Sequence, residues 1–230
     1  MLSSAATLVS AVLRGSAGFL LLDVKAGLAF AARSLVHNTS MLLLAFCAVH
    51  AAGNTLFFLG PGPFNAYAAK MSASPIVRGI ELYLLLAALC HAGAASFLTV
   101  KDGKLSPGKG WAERAKLALT GTLVTAFLVV HVQHFRLGPS AHPLAAGGVR
   151  DFYKDVAGVL ASPTMAAFYA AGAAGVGAHA WWGWEKAARK LKDGDGKPLG
   201  TEGVKGLGAA LIGAMTAAFL GVVASAHWGK

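Results

Sequence analysis

Charge is what this sequence has least of. Asp, Glu, Lys and Arg make up 13% of its 230 residues, against 56% apolar residues and a mean hydropathy of +0.59. A soluble domain carries about 25% charged residues, so an ordinary water-soluble globule is excluded. Cysteine is nearly missing as well. Cys47 and Cys90 are the only two; both sit inside apolar runs and read as small buried hydrophobes. No internal repeat is visible, and the length leaves no room for a separate soluble catalytic unit.

What is present is hydrocarbon. Five stretches run without a charged side chain: Asn38–Gly60, Leu82–Val100, Leu117–Phe135, Pro163–Trp184 and Gly206–Gly229. A helix needs about 20 such residues to cross a bilayer core, and a helix satisfies its own backbone there. The expected fold class is an all-α membrane protein: a bundle of five transmembrane helices over residues 34–230, preceded by a segment over 1–33. That first segment is rich in Ser, Ala and Leu and has no acid before Asp23. It resembles a mitochondrial transit segment and is expected to stay as an interfacial helix.

The net charge of +10 has a direction. With the N-terminus inside, the inner segments hold 14 of the 20 basic residues. That bias puts the N-terminus on the cytoplasmic or matrix side. The charge therefore reports orientation and some affinity for anionic lipid headgroups; nucleic acid is not an expected partner. Between the spans, residues 60–75 (GPGPFNAYAAKMSASP) predict a short outer surface helix, and Val149–Leu160 an amphipathic piece. The Asp/Gly-rich turn at 192–200 lacks the ligand spacing of a calcium loop.

Histidines are the polar exception inside the spans. Of eight, His37, His142 and His227 fall at span ends or in a loop. His50, His91, His131 and His179 lie one each in spans one to four. They stand 17 residues after Arg33, 13 after Arg78, 15 after Lys116 and 16 after Pro163, which is roughly 20–25 Å along each helix. Because consecutive helices alternate in direction, His50 and His131 share an outer level, and His91 and His179 an inner one. A single membrane histidine is more often an interhelical hydrogen bonder or a proton-path residue. Four at matched depth are harder to obtain that way. Two imidazoles facing each other at one level are what six-coordinate haem b requires, so two haem b groups are expected, stacked across the membrane. No CxxCH occurs, which excludes attachment through thioethers. Gly53, Gly93, Gly121, Gly175, Gly177 and Gly183 would let a flat macrocycle approach. Each ligand's second ring nitrogen would donate to the carbonyl four residues back, on Phe46, Ala87, Phe127 and Gly175. His134 lies one turn beyond His131; His131 is taken as the ligand because its depth matches His50.

The stretches AVHAAGN, SPIVRGIELYLLLAALCHA, LALTGTLVTAFLVVHVQHF and SPTMAAFYAAGAAGVGAHAWWGW in spans one to four resemble the single-subunit dihaem cytochrome b anchor of succinate dehydrogenases and fumarate reductases. The resemblance covers Arg33 to Lys190 with the four histidines in register. It implies the pairs His50–His131 (distal haem) and His91–His179 (proximal haem). It also implies a flavoprotein (FAD) subunit and an iron–sulfur subunit on the inner face, with electrons from succinate passing to quinone. Menaquinol-oxidising members carry an acid two positions before the fourth-span ligand, where this chain has Gly177. They also carry a carboxylate in the first outer loop, whereas residues 51–80 have none. Both differences favour succinate oxidation with ubiquinone. Other dihaem b cytochromes, of the formate dehydrogenase or ascorbate type, share the histidine logic.

Two quinone sites compete. The inner one uses Arg33, Ser34 and His37 beside the docked iron–sulfur subunit; the outer one uses Asn54, Glu81 and His134, where His134 could alternatively meet a propionate. The inner site is preferred because electrons reach it first. Glu81 is expected to pair with Arg78 one turn away. Trp181, Trp182 and Trp184 read as interface anchors, and Lys186, Arg189, Lys190 and Lys192 as a topogenic or docking cluster.

Overall fold

The computed structural model describes residues 2–108, 110–137, 150–188 and 201–229, with side chains described from residue 26 onward except at 113, 114 and 201. Seven α-helices are present among them: α1 Leu2–Asn54, α2 Pro61–Ala73, α3 Pro75–Lys101, α4 Trp111–Val132, α5 Phe152–Ala161, α6 Pro163–Ala188 and α7 Thr201–Trp228. Helix α1 runs unbroken through the expected boundary at residue 33. A 3-10 turn, Thr55–Leu59, follows α1, and a π-turn, Gln133–Leu137, follows α4. His142, Arg189, Lys190, Lys192, the turn at 192–200 and the side chains of 1–25 lie outside the described residues.

Four helical segments are long and apolar enough to cross a membrane: Ala26–Leu59, Pro75–Lys101, Ala115–Leu137 and Glu202–Trp228. A fifth is obtained when α5 and α6, bent by 103° at Ser162, count as one span. Helix α6 falls short alone because Ala and Gly stand where the other spans carry Leu and Val. The reason is packing. Ala166, Gly172, Ala173, Gly175 and Gly177 are buried on α6, where α4 and α7 press against it. A methyl group at Gly172 would collide with the Phe127 ring, and one at Gly177 with Thr216. Gly172→Ala is accordingly expected to cost about 2 kcal/mol by overpacking, read as a lowered thermal midpoint of the detergent-solubilised protein.

The long helices close into a ring. Helix α1 packs along α3 and α7, α7 along α6, α6 along α4, and α4 touches α3. Neither α1 with α4 nor α3 with α6 packs along its length. Within this ring α1, α3, α4 and α6 form a four-helix square, closed by a slight contact between α1 and α6, and the two unpacked pairs are its diagonals.

The end of the bundle that the charge bias expects to face outward is capped. Helix α2 begins at Pro61, where the ring presets φ and the missing N–H costs nothing, so the Gly-Pro-Gly-Pro sequence opens a helix. Ser74 caps α3 through Val77 N, with Pro75 following. Phe57, Phe64, Leu160, Tyr169, Val222 and Val223 form one buried cluster under α2 and α5, and Phe57 stacks on Tyr153 at 4.2 Å. The Asn65 amide locks this cap: it donates to Asp151 Oδ1 at 2.9 Å and accepts from the Tyr153 backbone N–H at 2.8 Å. The hydrogen bond from Asn65, with help from Lys154, holds the Asp151 carboxyl below its ordinary range. Its stabilising contribution is therefore complete above the unfolded carboxylate pKa, about 3.9, and is lost as pH falls through the lower folded value. Asp151→Asn should flatten that part of an acid-denaturation curve; an unchanged curve would refute the assignment.

Candidate functional site

The structure brings the four span histidines together as two pairs, one on each diagonal. His50 on α1 faces His131 on α4, with ring centroids 6.0 Å apart and planes at 84°. His91 on α3 faces His179 on α6 at 6.2 Å and 81°. Two metal–nitrogen bonds of about 2 Å, with about 1 Å from each nitrogen to its ring centre, would set axial imidazole centroids about 6 Å apart. Edge-to-face contact covers the same range, so the separation does not decide alone.

At the inner level both rings are held by threonine. His91 Nδ1 meets Thr39 Oγ1 of α1 at 3.1 Å, and His179 Nδ1 meets Thr120 Oγ1 of α4 at 3.1 Å. The expected carbonyl partners on Ala87 and Gly175 are thus replaced by hydroxyls from the adjacent helices. The outer level is built differently. The Asn54 amide donates to the His50 carbonyl at 2.7 Å and stands 3.4 Å from the His50 ring nitrogens. His131 Nδ1 is buried with no partner, so the Phe127 carbonyl does not take its proton. Aromatic rings surround this level: Phe46 and Phe219 beside His50, and Phe127, Phe135 and Tyr169 beside His131.

The donor set fits haem b. Each level offers two imidazoles from opposite corners, and a six-coordinate haem needs two. Among the described residues no three His, Cys, Asp or Glu side chains gather as a cage for a bare metal ion. The glycines divide. A side chain at Gly53 or Gly175 would meet Tyr67 or Leu123, so these serve helix packing, as Gly177 does against Thr216. Gly121 faces the His179 ring, its added Cβ falling 3.2 Å from Cε1, and Gly93 and Gly183 face open space.

The outer quinone candidates are already engaged. Glu81 pairs with Arg136 at 2.9 Å; among the described residues no Arg78–Glu81 pair forms, because the π-turn after α4 delivers Arg136 to the carboxylate. His134 Nδ1 lies 3.0 Å from the Tyr169 hydroxyl, and Asn54 serves His50. At the inner end Arg33 donates to Asp102 at 3.3 Å, within a cluster that includes Lys101 and Lys104. Ser34 and His37 remain exposed there.

Other assignments shift. Trp184 donates to the Val204 carbonyl at 3.1 Å and covers Gly208, Trp181 packs in the cluster between α6 and α7, and Lys116 lies over Trp182. Each tryptophan thus also contacts a neighbouring helix, in addition to the interfacial position expected of it. His227 Nδ1 lies 2.8 Å from the Leu160 carbonyl, fastening α7 to α5. Cys47 is half-buried, but Cys90 is exposed. No protein-family model, curated protein or solved structure matches this chain.

Proposed function

We propose that this chain is a dihaem cytochrome b membrane anchor of a succinate:quinone oxidoreductase, in the mitochondrial inner membrane or a bacterial cytoplasmic membrane, with its N-terminus on the matrix or cytoplasmic side. The observation that carries the reading is the crossed pair of histidines: two diagonals of one helix square, each joining helices that do not otherwise pack, each ending in facing imidazoles. Plain interhelical hydrogen bonding gives no reason for that pattern to occur twice at two depths. His50 and His131 would hold the outer haem b, His91 and His179 the inner one. A bis-histidine haem supplies a one-electron redox centre when bound. The chain's own part is to hold the ring nitrogens on opposite corners, to fix their protonation through Thr39 and Thr120, and to exclude water with the aromatic shell of the outer level. Quinone, with ubiquinone favoured, would meet Ser34 and His37 at the inner end, close to a docked iron–sulfur subunit and its flavoprotein partner.

The experiment is a reduced-minus-oxidised spectrum with a haem assay on the purified complex. Two haem b per chain and a sharp b-type band are expected; absence of the band would sink the reading. Other dihaem b cytochromes would give the same spectrum, so the copurifying subunits separate them. Covalent flavin in a partner supports succinate oxidation, and a partner lacking it redirects the assignment.

A further inference from the structure

We infer that Thr39 and Thr120 are positioning residues that set the tautomer and basicity of the inner histidine pair, giving the inner haem a lower reduction potential than His91 and His179 would confer without them. This rests on the cytochrome reading above. Each threonine has one hydroxyl proton, and that proton has an address. Thr39 Oγ1 donates to the Leu35 carbonyl at 2.6 Å, and Thr120 Oγ1 to the Lys116 carbonyl at 2.7 Å, each within its own helix. Toward the imidazole, 3.1 Å away in both cases, each oxygen can then only accept. His91 and His179 must therefore carry their hydrogen on Nδ1, which leaves the Nε2 lone pair for a metal. Were Nδ1 the bare nitrogen, each threonine would have to abandon its short carbonyl bond to donate to it.

The backbone carbonyls of Val36 and Leu117 lie beside the same two rings. The threonine oxygens thus face both inner Nδ1 atoms as acceptors. A hydrogen bond that pulls on the ring N–H raises the ligand's basicity. A more basic ligand favours the ferric form and lowers the potential. The outer level lacks the device, since His131 Nδ1 has no partner. The two levels carry the same ligand type, yet the chain makes them electronically unequal.

The test is a redox titration of the haem-loaded complex carrying Thr39→Val or Thr120→Val, with the parent protein beside it. Valine keeps the shape and leaves the backbone carbonyl, so haem should stay while one of two components moves upward. The expected shift is about threefold in the ferrous-to-ferric ratio per variant, close to 28 mV at 59 mV per decade. Thr39→Ser and Thr120→Ser keep the hydroxyl and should return the component to its original potential. A parent protein without haem would overturn the cytochrome reading itself. Haem present with neither component moving would overturn the threonine assignment alone. If valine expels the haem, the serine variants decide: haem at the original potential supports the role, and serine behaving like valine overturns it.

Discussion

On the proposed dihaem reading, replacing His91 or His179 with alanine is expected to take the haem content from two per chain to one, and either substitution should remove the same spectral component. The inner pair shares no residue with the outer pair, and its supporting threonines, Thr39 and Thr120, touch neither His50 nor His131. Effects at separated sites without common partners add independently, so the outer haem should persist with its own potential. Each substitution also empties a place at the centre of the square, where the partner ring 6.2 Å away loses its opposite number. One remaining imidazole cannot clamp the iron from both sides, and its Nε2 lone pair is left in an apolar interior. The measurement is a haem-to-protein ratio with a redox titration. Retention of both components in either variant would remove His91 and His179 from the ligand set. Loss of both haems from a protein that keeps its helical content would show the two levels to be one cooperative unit, contrary to the separation of their hydrogen bonds.

The histidine pairs were legible because they depend on only two quantities, residue count and helix direction. Those fix depth, and depth alone matches His50 with His131 and His91 with His179. What depth does not give is rotation about each helix axis. Thr39 meets His91 only because α1 turns that face toward α3, and Thr120 meets His179 because α4 does so toward α6. A threonine bonded back to its own helix is common in apolar spans, so neither residue stood out. Glu81 pairs away from its chain neighbour for a related reason. Arg78 is close along the chain, whereas Arg136 is 55 residues away and is brought in by a π-turn that no local pattern announces. Half of the glycines near the histidines serve helix packing instead, because close packing demands the same residue. Gly53, Gly175 and Gly177 each have a neighbouring side chain where a methyl would go. The weak hydropathy of α6 has that origin too: a helix buried against two others needs small residues more than large apolar ones.

On the same dihaem reading, alanine at His131 is expected to remove the outer haem, while alanine at His134 should leave both haems in place. On an unbroken α-helix, residues three apart share a face, and either imidazole could have reached toward His50. The π-turn at Gln133–Leu137 changes that by widening the helix immediately after α4. His131 keeps its ring 6.0 Å from His50, while His134 turns toward α6, stacks on Tyr169 and bonds its hydroxyl at 3.0 Å. His134→Ala therefore loses a contact between α4 and α6 worth about 1 kcal/mol, and Tyr169→Phe should reproduce that modest loss. His131→Ala instead deprives His50 of its facing ring. The paired variants thus assign the third-span ligand by difference: haem retained at His134→Ala and lost at His131→Ala fits the geometry, whereas the reverse would move the ligand one turn outward and require the π-turn to rewind when the outer level is filled.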